Sequence, residues 1–163
     1  MSLTFSRHEF SCRLQLAQGR MARDGIAAIL LTQEPDIRYF SGFLTRFWES
    51  PTRPWFLVLP AAGQPVAVIP EIGRALMARG PVQDIRTWLS PDYDDDGITL
   101  LADTLRELVP PGERLGVPMG RETALRMPLS GWDRLRRLLD RKVVDVAPLL
   151  RAQQMVKSPA EIA

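Results

Sequence analysis

Two uninterrupted apolar runs, Ala27-Ala28-Ile29-Leu30-Leu31 and Trp55-Phe56-Leu57-Val58-Leu59, constrain this chain more than any other feature. A strand with one wet face alternates apolar and polar residues, so a continuous run calls for cover on both faces. Each run is short and bounded by Pro, Gly or Asp, which selects a strand over a buried helix. Together they predict the centre of a sheet with helices on its two sides.

The flanking sequence fits that plan. From Ser6 to Asp24, Phe10, Leu14, Ala17 and Met21 form one helical stripe, with Arg13, Arg20 and Arg23 on other faces. Ser6 and Glu9 make a capping box at its start, and Gly25 ends it. Glu34-Pro35-Asp36 opens a short helix through Tyr39, closed by Ser41-Gly42, so Tyr39 and Phe43 stand at a loop beside the sheet. Leu44 to Pro54 is irregular and rich in aromatic and charged residues, where binding groups tend to lie. Trp55 to Pro60 and Pro65 to Pro70 are strands whose four-residue connection makes them antiparallel.

Further along, a helix is predicted over 71–79 with Ile72, Ala75 and Leu76 inward, then a strand over 83–88. An acidic loop over 90–97 leads to a helix over 98–109 carrying Ile98, Leu101, Leu105 and Leu108 on one face. A strand over 114–118, helices over 122–127 and 130–140, and a last strand over 142–146 complete the pattern. Helices alternating with strands around one hairpin give an α/β class, a layered mixed sheet with helices on both faces.

The length of 163 residues suits one domain. A pI near 9.1 would suggest nucleic acid, but the arginines are scattered rather than gathered on one face with interleaved aromatics, and no nucleic-acid partner is expected. One cysteine, Cys12, excludes an internal disulfide. Met1 to Arg7 lacks the pattern of a signal peptide, and no apolar run approaches the roughly 18 residues of a membrane span. No membrane association and a cytoplasmic location are the expectations.

The usual catalytic side chains are missing. His8 is the single histidine and cannot build a metal site unaided. Cys12 has no evident His or Asp companion, and is read as a partly buried small side chain. Asp92, Asp94, Asp95 and Asp96 lack the order and the closing glutamate of a calcium loop, and read as a helix-leading turn. Asp84 and Asp145 do not make a magnesium-dependent nuclease. Gly116 to Gly120 is a turn and not a phosphate-binding loop. Arg134, Arg136, Arg137 and Arg141 read as a solvated patch on one helix. Trp55 belongs to the core, whereas Trp48, in the irregular loop, is a candidate interface anchor.

Ser158-Pro159-Ala160-Glu161 combines a capping serine, proline at the first helical position and glutamate three residues after the cap. So specific a helix start close to Ala163 predicts that the native chain continues into a further domain.

Several stretches carry a family likeness. They are Phe10 and Arg13; Gly25 to Thr32; Asp36-Ile37-Arg38-Tyr39-Phe40-Ser41-Gly42-Phe43; Arg53 ahead of the strand ending in Pro60; and Leu150-Arg151 with Lys157-Ser158-Pro159-Ala160-Glu161-Ile162. In order and spacing they resemble the amino-terminal domain of the creatinase, prolidase and aminopeptidase P family.

The resemblance implies a ribonuclease H-like fold over 1–156. Residues 157–163 would open a pita-bread catalytic domain holding two divalent metal ions, such as manganese, zinc or cobalt, through Asp, Asp, His, Glu and Glu. None of those ligands can be placed in this chain. It further implies a non-catalytic domain that supports a homodimer and completes the neighbouring subunit's pocket for a peptide or small-molecule substrate.

In creatinase-like members an arginine just before the equivalent of Trp55 to Leu59 reaches a substrate carboxylate. Arg53 matches it. Because Glu49-Ser50-Pro51-Thr52 departs from the family pattern, Arg46 could be the reaching residue instead, or neither. Phe43 and Tyr39 join Trp48 as interface candidates. The expected function is therefore the non-catalytic domain of a metal-dependent hydrolase acting on an Xaa-Pro peptide or a creatine-like compound. A free-standing interaction module of the same fold is the alternative.

Overall fold

The computed structural model describes residues 5–50 and 53–162, so Pro51 and Thr52 of the irregular loop lie outside the described residues. The chain runs α1 (Arg7–Asp24), β1 (Ile26–Leu31), α2 (Glu34–Ser41), β2 (Phe56–Pro60), β3 (Val66–Pro70), α3 (Arg74–Met77), β4 (Asp84–Trp88), α4 (Ile98–Leu108), β5 (Arg114–Val117), α5 (Leu129–Leu139), β6 (Lys142–Asp145), α6 (Ala147–Gln154) and α7 (Pro159–Ile162). Single turns of 3-10 helix stand at Arg46–Glu49 and Glu71–Gly73.

The strands form one six-stranded mixed sheet in the order β4-β3-β2-β1-β5-β6. β1 is its hinge of direction: it pairs antiparallel with β2 (Ile29 opposite Leu59) and parallel with β5 (Ile29 opposite Gly116). β2 and β3 form the predicted antiparallel hairpin, and the two outer pairs are parallel. The continuous apolar runs now have their reason. Ile29, Leu31, Leu57 and Leu59 face α1, α2 and α6, while Ala28, Leu30, Phe56 and Val58 face α4 and α5. Alternate residues of one strand fill two separate cores, which is the layered α/β arrangement the sequence predicts.

α1 follows its predicted stripe. Ser6 Oγ accepts the Glu9 N–H at 3.1 Å, Gly25 closes the helix at φ 60, and Phe10, Leu14, Ala17 and Met21 are buried. Arg13, expected on another face, is buried among them and only 3% exposed. Its guanidinium lies 4.2 Å from the Phe5 ring centroid and 4.3 Å from that of Tyr39, and donates to the Tyr39 carbonyl at 2.8 Å. Two carboxylates answer its charge, Glu9 at 2.9 Å and Glu161 at 3.4 Å.

The predicted helix start at Ser158 is part of the same cluster. Its hydroxyl donates to Glu9 Oε1 at 2.8 Å, and its backbone N–H donates to Glu161 Oε2 at 2.9 Å. The first turn of α7 is thereby tied onto α1.

Three stretches depart from expectation. The segment over 71–79 is a 3-10 turn followed by the short α3, and it turns Gly73 and Met77 inward while Ile72 is 57% exposed. The cause is Trp55: a Cβ on Gly73 would lie 2.3 Å from its ring, so the backbone itself packs there. No helix forms over 122–127, where Glu122 sits at φ 63 and the Arg126 N–H is used by Thr32 Oγ1 at 3.0 Å. Finally, α6 follows β6 without having been predicted.

Candidate functional site

The irregular segment between α2 and β2 leaves the sheet at the carboxyl end of β1, the end from which the segment after the parallel strand β5 also emerges. Gly42 ends α2 at φ 70 and swings the chain outward. Thr45 then caps the 3-10 turn, its hydroxyl accepting the Phe47 N–H at 3.3 Å. The sequence alternates here between residues that point in and residues that point out.

The structure thereby divides the candidate residues. Phe43 is 3% exposed and Trp48 8% exposed, both turned into the domain's own core against Trp55. Phe47 stacks on Trp55 from the outside with ring centroids 6.4 Å apart. Arg53 lays its guanidinium over that Phe47 ring, 5.3 Å from the centroid, and Arg46 is exposed. Neither guanidinium has an ion pair with a described carboxylate. Tyr39 is half-buried against Arg13, and burial raises its hydroxyl pKa above the ordinary value. The outer face of the segment is thus Leu44, Arg46 and Glu49, with Arg53 half-buried beside them and Phe43 and Trp48 as the support beneath.

Arg126, a residue the sequence reading did not select, holds this segment from behind. Nη1 donates to the Arg53 carbonyl at 2.8 Å, and Nη2 donates to the carbonyls of Trp48 at 2.9 Å and of Ser50. The guanidinium also lies 5.0 Å from the Trp48 ring centroid. Burial lowers its pKa from the ordinary value, countered by the charge of Glu34, and no described carboxylate lies within ion-pair distance. Carbonyl dipoles and one aromatic face do the work of a counter-ion. Periodicity gives no hint of such a residue, because it lies on an irregular stretch.

The remaining candidates fall elsewhere. His8 Nε2 lies 3.6 Å from Cys12 Sγ, a companion four residues away on α1 that the sequence reading overlooked. Asp92 accepts the N–H groups of Asp94 and Asp95, and Asp95 accepts the Thr99 N–H, so the acidic loop is the helix-leading turn predicted. Arg134 pairs with Asp95 at 2.9 Å and Arg141 binds the Val109 carbonyl, so those two do not belong to a free solvated patch. Among the described residues no three His, Cys, Asp or Glu side chains converge to hold a metal. No described helix is long and apolar enough to cross a membrane.

Comparison with known proteins follows the architecture. No curated protein sequence matches significantly. Among solved structures, the dipeptidase PepE from Mycobacterium ulcerans superposes with a TM-score of 0.72 at 27% identity, covering 97% of this chain and 40% of that one. The prolidase from Thermococcus sibiricus gives 0.77 at 19% identity, covering 94% and 39%. The creatinase/prolidase N-terminal domain of an X-Pro dipeptidase from Streptococcus pyogenes gives 0.64 at 12% identity, covering 86% and 98%. The chain thus spans two fifths of the length of the first two proteins. Residues 13–156 match the sequence model of the Creatinase/Prolidase N-terminal domain, and the chain belongs to that family.

Proposed function

We propose that this chain is the non-catalytic amino-terminal domain of a metal-dependent hydrolase of the Xaa-Pro peptidase or creatinase type. Within it, the segment from Phe43 to Trp55 supports a homodimer and completes the neighbouring subunit's substrate pocket. One observation carries the reading: nearly the whole chain superposes on only two fifths of a dipeptidase, the remainder of which has no counterpart here. The role of the segment is supported by Arg53, whose guanidinium is braced on Phe47 and has no described carboxylate partner. A planar, permanently charged group held in that way suits a substrate carboxylate through two parallel hydrogen bonds.

The test is Arg53→Ala in the full-length protein. A charge-assisted hydrogen bond contributes about 1.5–3 kcal/mol, so KM for a substrate with a free carboxylate rises roughly tenfold to a hundredfold, with metal content and kcat unchanged. Unchanged kinetics would remove Arg53 from the pocket and favour the interaction-module reading. Arg46→Ala, run beside it, tests the other guanidinium. Light scattering on the domain alone tests its part in the dimer.

A further inference from the structure

We infer that Arg126 is a positioning residue for the substrate-facing segment: it fixes the backbone that presents Arg53. This rests on the proposed role of Arg53 and adds the device by which that role is held in place.

Three observations carry the inference. First, Arg126 is anchored beside the central strand, since its backbone N–H donates to Thr32 Oγ1 at 3.0 Å, and Thr32 directly follows β1 and is 4% exposed. Second, its fork reaches carbonyls on both sides of the stretch, those of Trp48 and Ser50 before it and that of Arg53 after it. Among the described residues the segment's backbone bonds include Trp48 N–H to Thr45 and Ser50 N–H to Phe47, and the one planar group joins the carbonyls of Trp48 and Ser50 to that of Arg53. Third, the charge of Arg126 has no described ion-pair partner, and Glu49 is the only acid in the sequence from Leu44 to Pro54. Arg126 is therefore committed to the carbonyls of the segment, with Glu34 the one acid whose charge reaches it.

Lysine cannot replace it, because a single ammonium cannot span carbonyls on both sides of the segment in one plane. The comparison uses Arg126→Lys and Arg126→Met in the full-length protein with two readouts, amide hydrogen exchange and steady-state kinetics. Both variants are expected to speed exchange at Phe47, Trp48 and Ser50 at least tenfold while β1 and β2 keep their protection, which also checks that each variant is folded. Both should raise KM for a carboxylate substrate at least fivefold, leave KM for the matching carboxamide unchanged, and add nothing in an Arg53→Ala background.

Unchanged exchange in the segment overturns the inference whatever the kinetics. Faster exchange with KM raised by Arg53→Ala but not by Arg126→Met overturns the positioning role and leaves the reading of Arg53 standing. Faster exchange with neither variant affecting KM retains Arg126 as a structural clamp, and refutes both the positioning role and the proposed function of Arg53.

Discussion

Arg13→Met puts the buried cation of α1 to a direct test. Methionine keeps an unbranched apolar stem in contact with Phe5, Phe10 and Tyr39, so the substitution removes charge and hydrogen bonds more than volume. The side chain of Arg13 is 4% exposed, and those of Glu9 and Glu161 are 15% and 14% exposed. Loss of one partner from a buried ion pair costs about 3–5 kcal/mol, because the other charge stays buried and unanswered. The lower end applies here, since Ser158 still donates to Glu9 and one terminal nitrogen of Arg13 makes no well-aligned hydrogen bond.

At about 3 kcal/mol, and roughly 2–4 °C per kcal/mol for a domain of this size, Tm falls by about 6–12 °C in a thermal melt followed by circular dichroism. Pairing the change with Glu9→Gln completes a double-mutant cycle, in which a coupling above about 1 kcal/mol is expected for groups in direct contact. A total loss below about 1 kcal/mol, with strictly additive single variants, would refute the argument and leave Arg13 as an apolar stem only.

Two further outcomes follow from close contacts and from the polar edge of the sheet. Gly116→Ala places a Cβ 2.5 Å from Val146 Cγ1 and 3.2 Å from Ile26 and Ile29, so it overpacks the β1–β5 seam and costs about 1–3 kcal/mol in urea unfolding. An unchanged midpoint would mean that the seam yields more easily than its packing indicates. On the β4 edge, the Thr87 hydroxyl and Arg74 hold the Glu71 carboxyl below its ordinary pKa of 4.5, and Arg86 does the same for Glu107. Depressed carboxyls contribute stability that is fully present above 4.5 and lost as pH falls through their lowered values. Glu71→Gln with Glu107→Gln should therefore lower Tm at pH 7 by an amount that shrinks on acidification below 4.5; a constant offset would contradict the assignment.

What the sequence revealed and what it hid divide along one physical line. Elements whose signals are local were legible: the Ser6 cap and Gly25 stop of α1, the apolar stripe between them, the two continuous strands and the β2–β3 hairpin. Elements decided by a distant neighbour were not. Over 122–127 the local composition favours a helix, but Thr32, at the end of a strand more than ninety residues earlier, takes the amide of Arg126. Gly73 faces inward because Trp55 occupies the space a side chain would need. α6 begins at Ala147 with Pro148 in its first turn and the Ala147 N–H held by Asp145 at 2.9 Å, but Val146 at the cap offers no side-chain hydrogen bond, so the usual capping pattern is missing from the sequence. Of the candidate site, the position of Arg53 could be named from its family likeness, whereas the clamp behind it was invisible because its backbone carbonyl acceptors carry no side-chain identity.

The double pairing of β1 also bears on how the chain is made. Its second neighbour, β5, leaves the ribosome about sixty residues after β2, a delay of roughly 3 to 12 s at ordinary elongation rates. Through that interval the edge of β1 that later receives β5 stands open, and Ala28, Leu30, Phe56 and Val58 lack the α5 cover, and for most of it the α4 cover, that shields them in the finished domain. A fully apolar, unpaired strand is a template for pairing with another chain. Nascent chains stalled between β3 and β5 should therefore be the aggregating species in translation, and a holdase that masks this partial sheet should raise the yield of folded domain more than one acting after release.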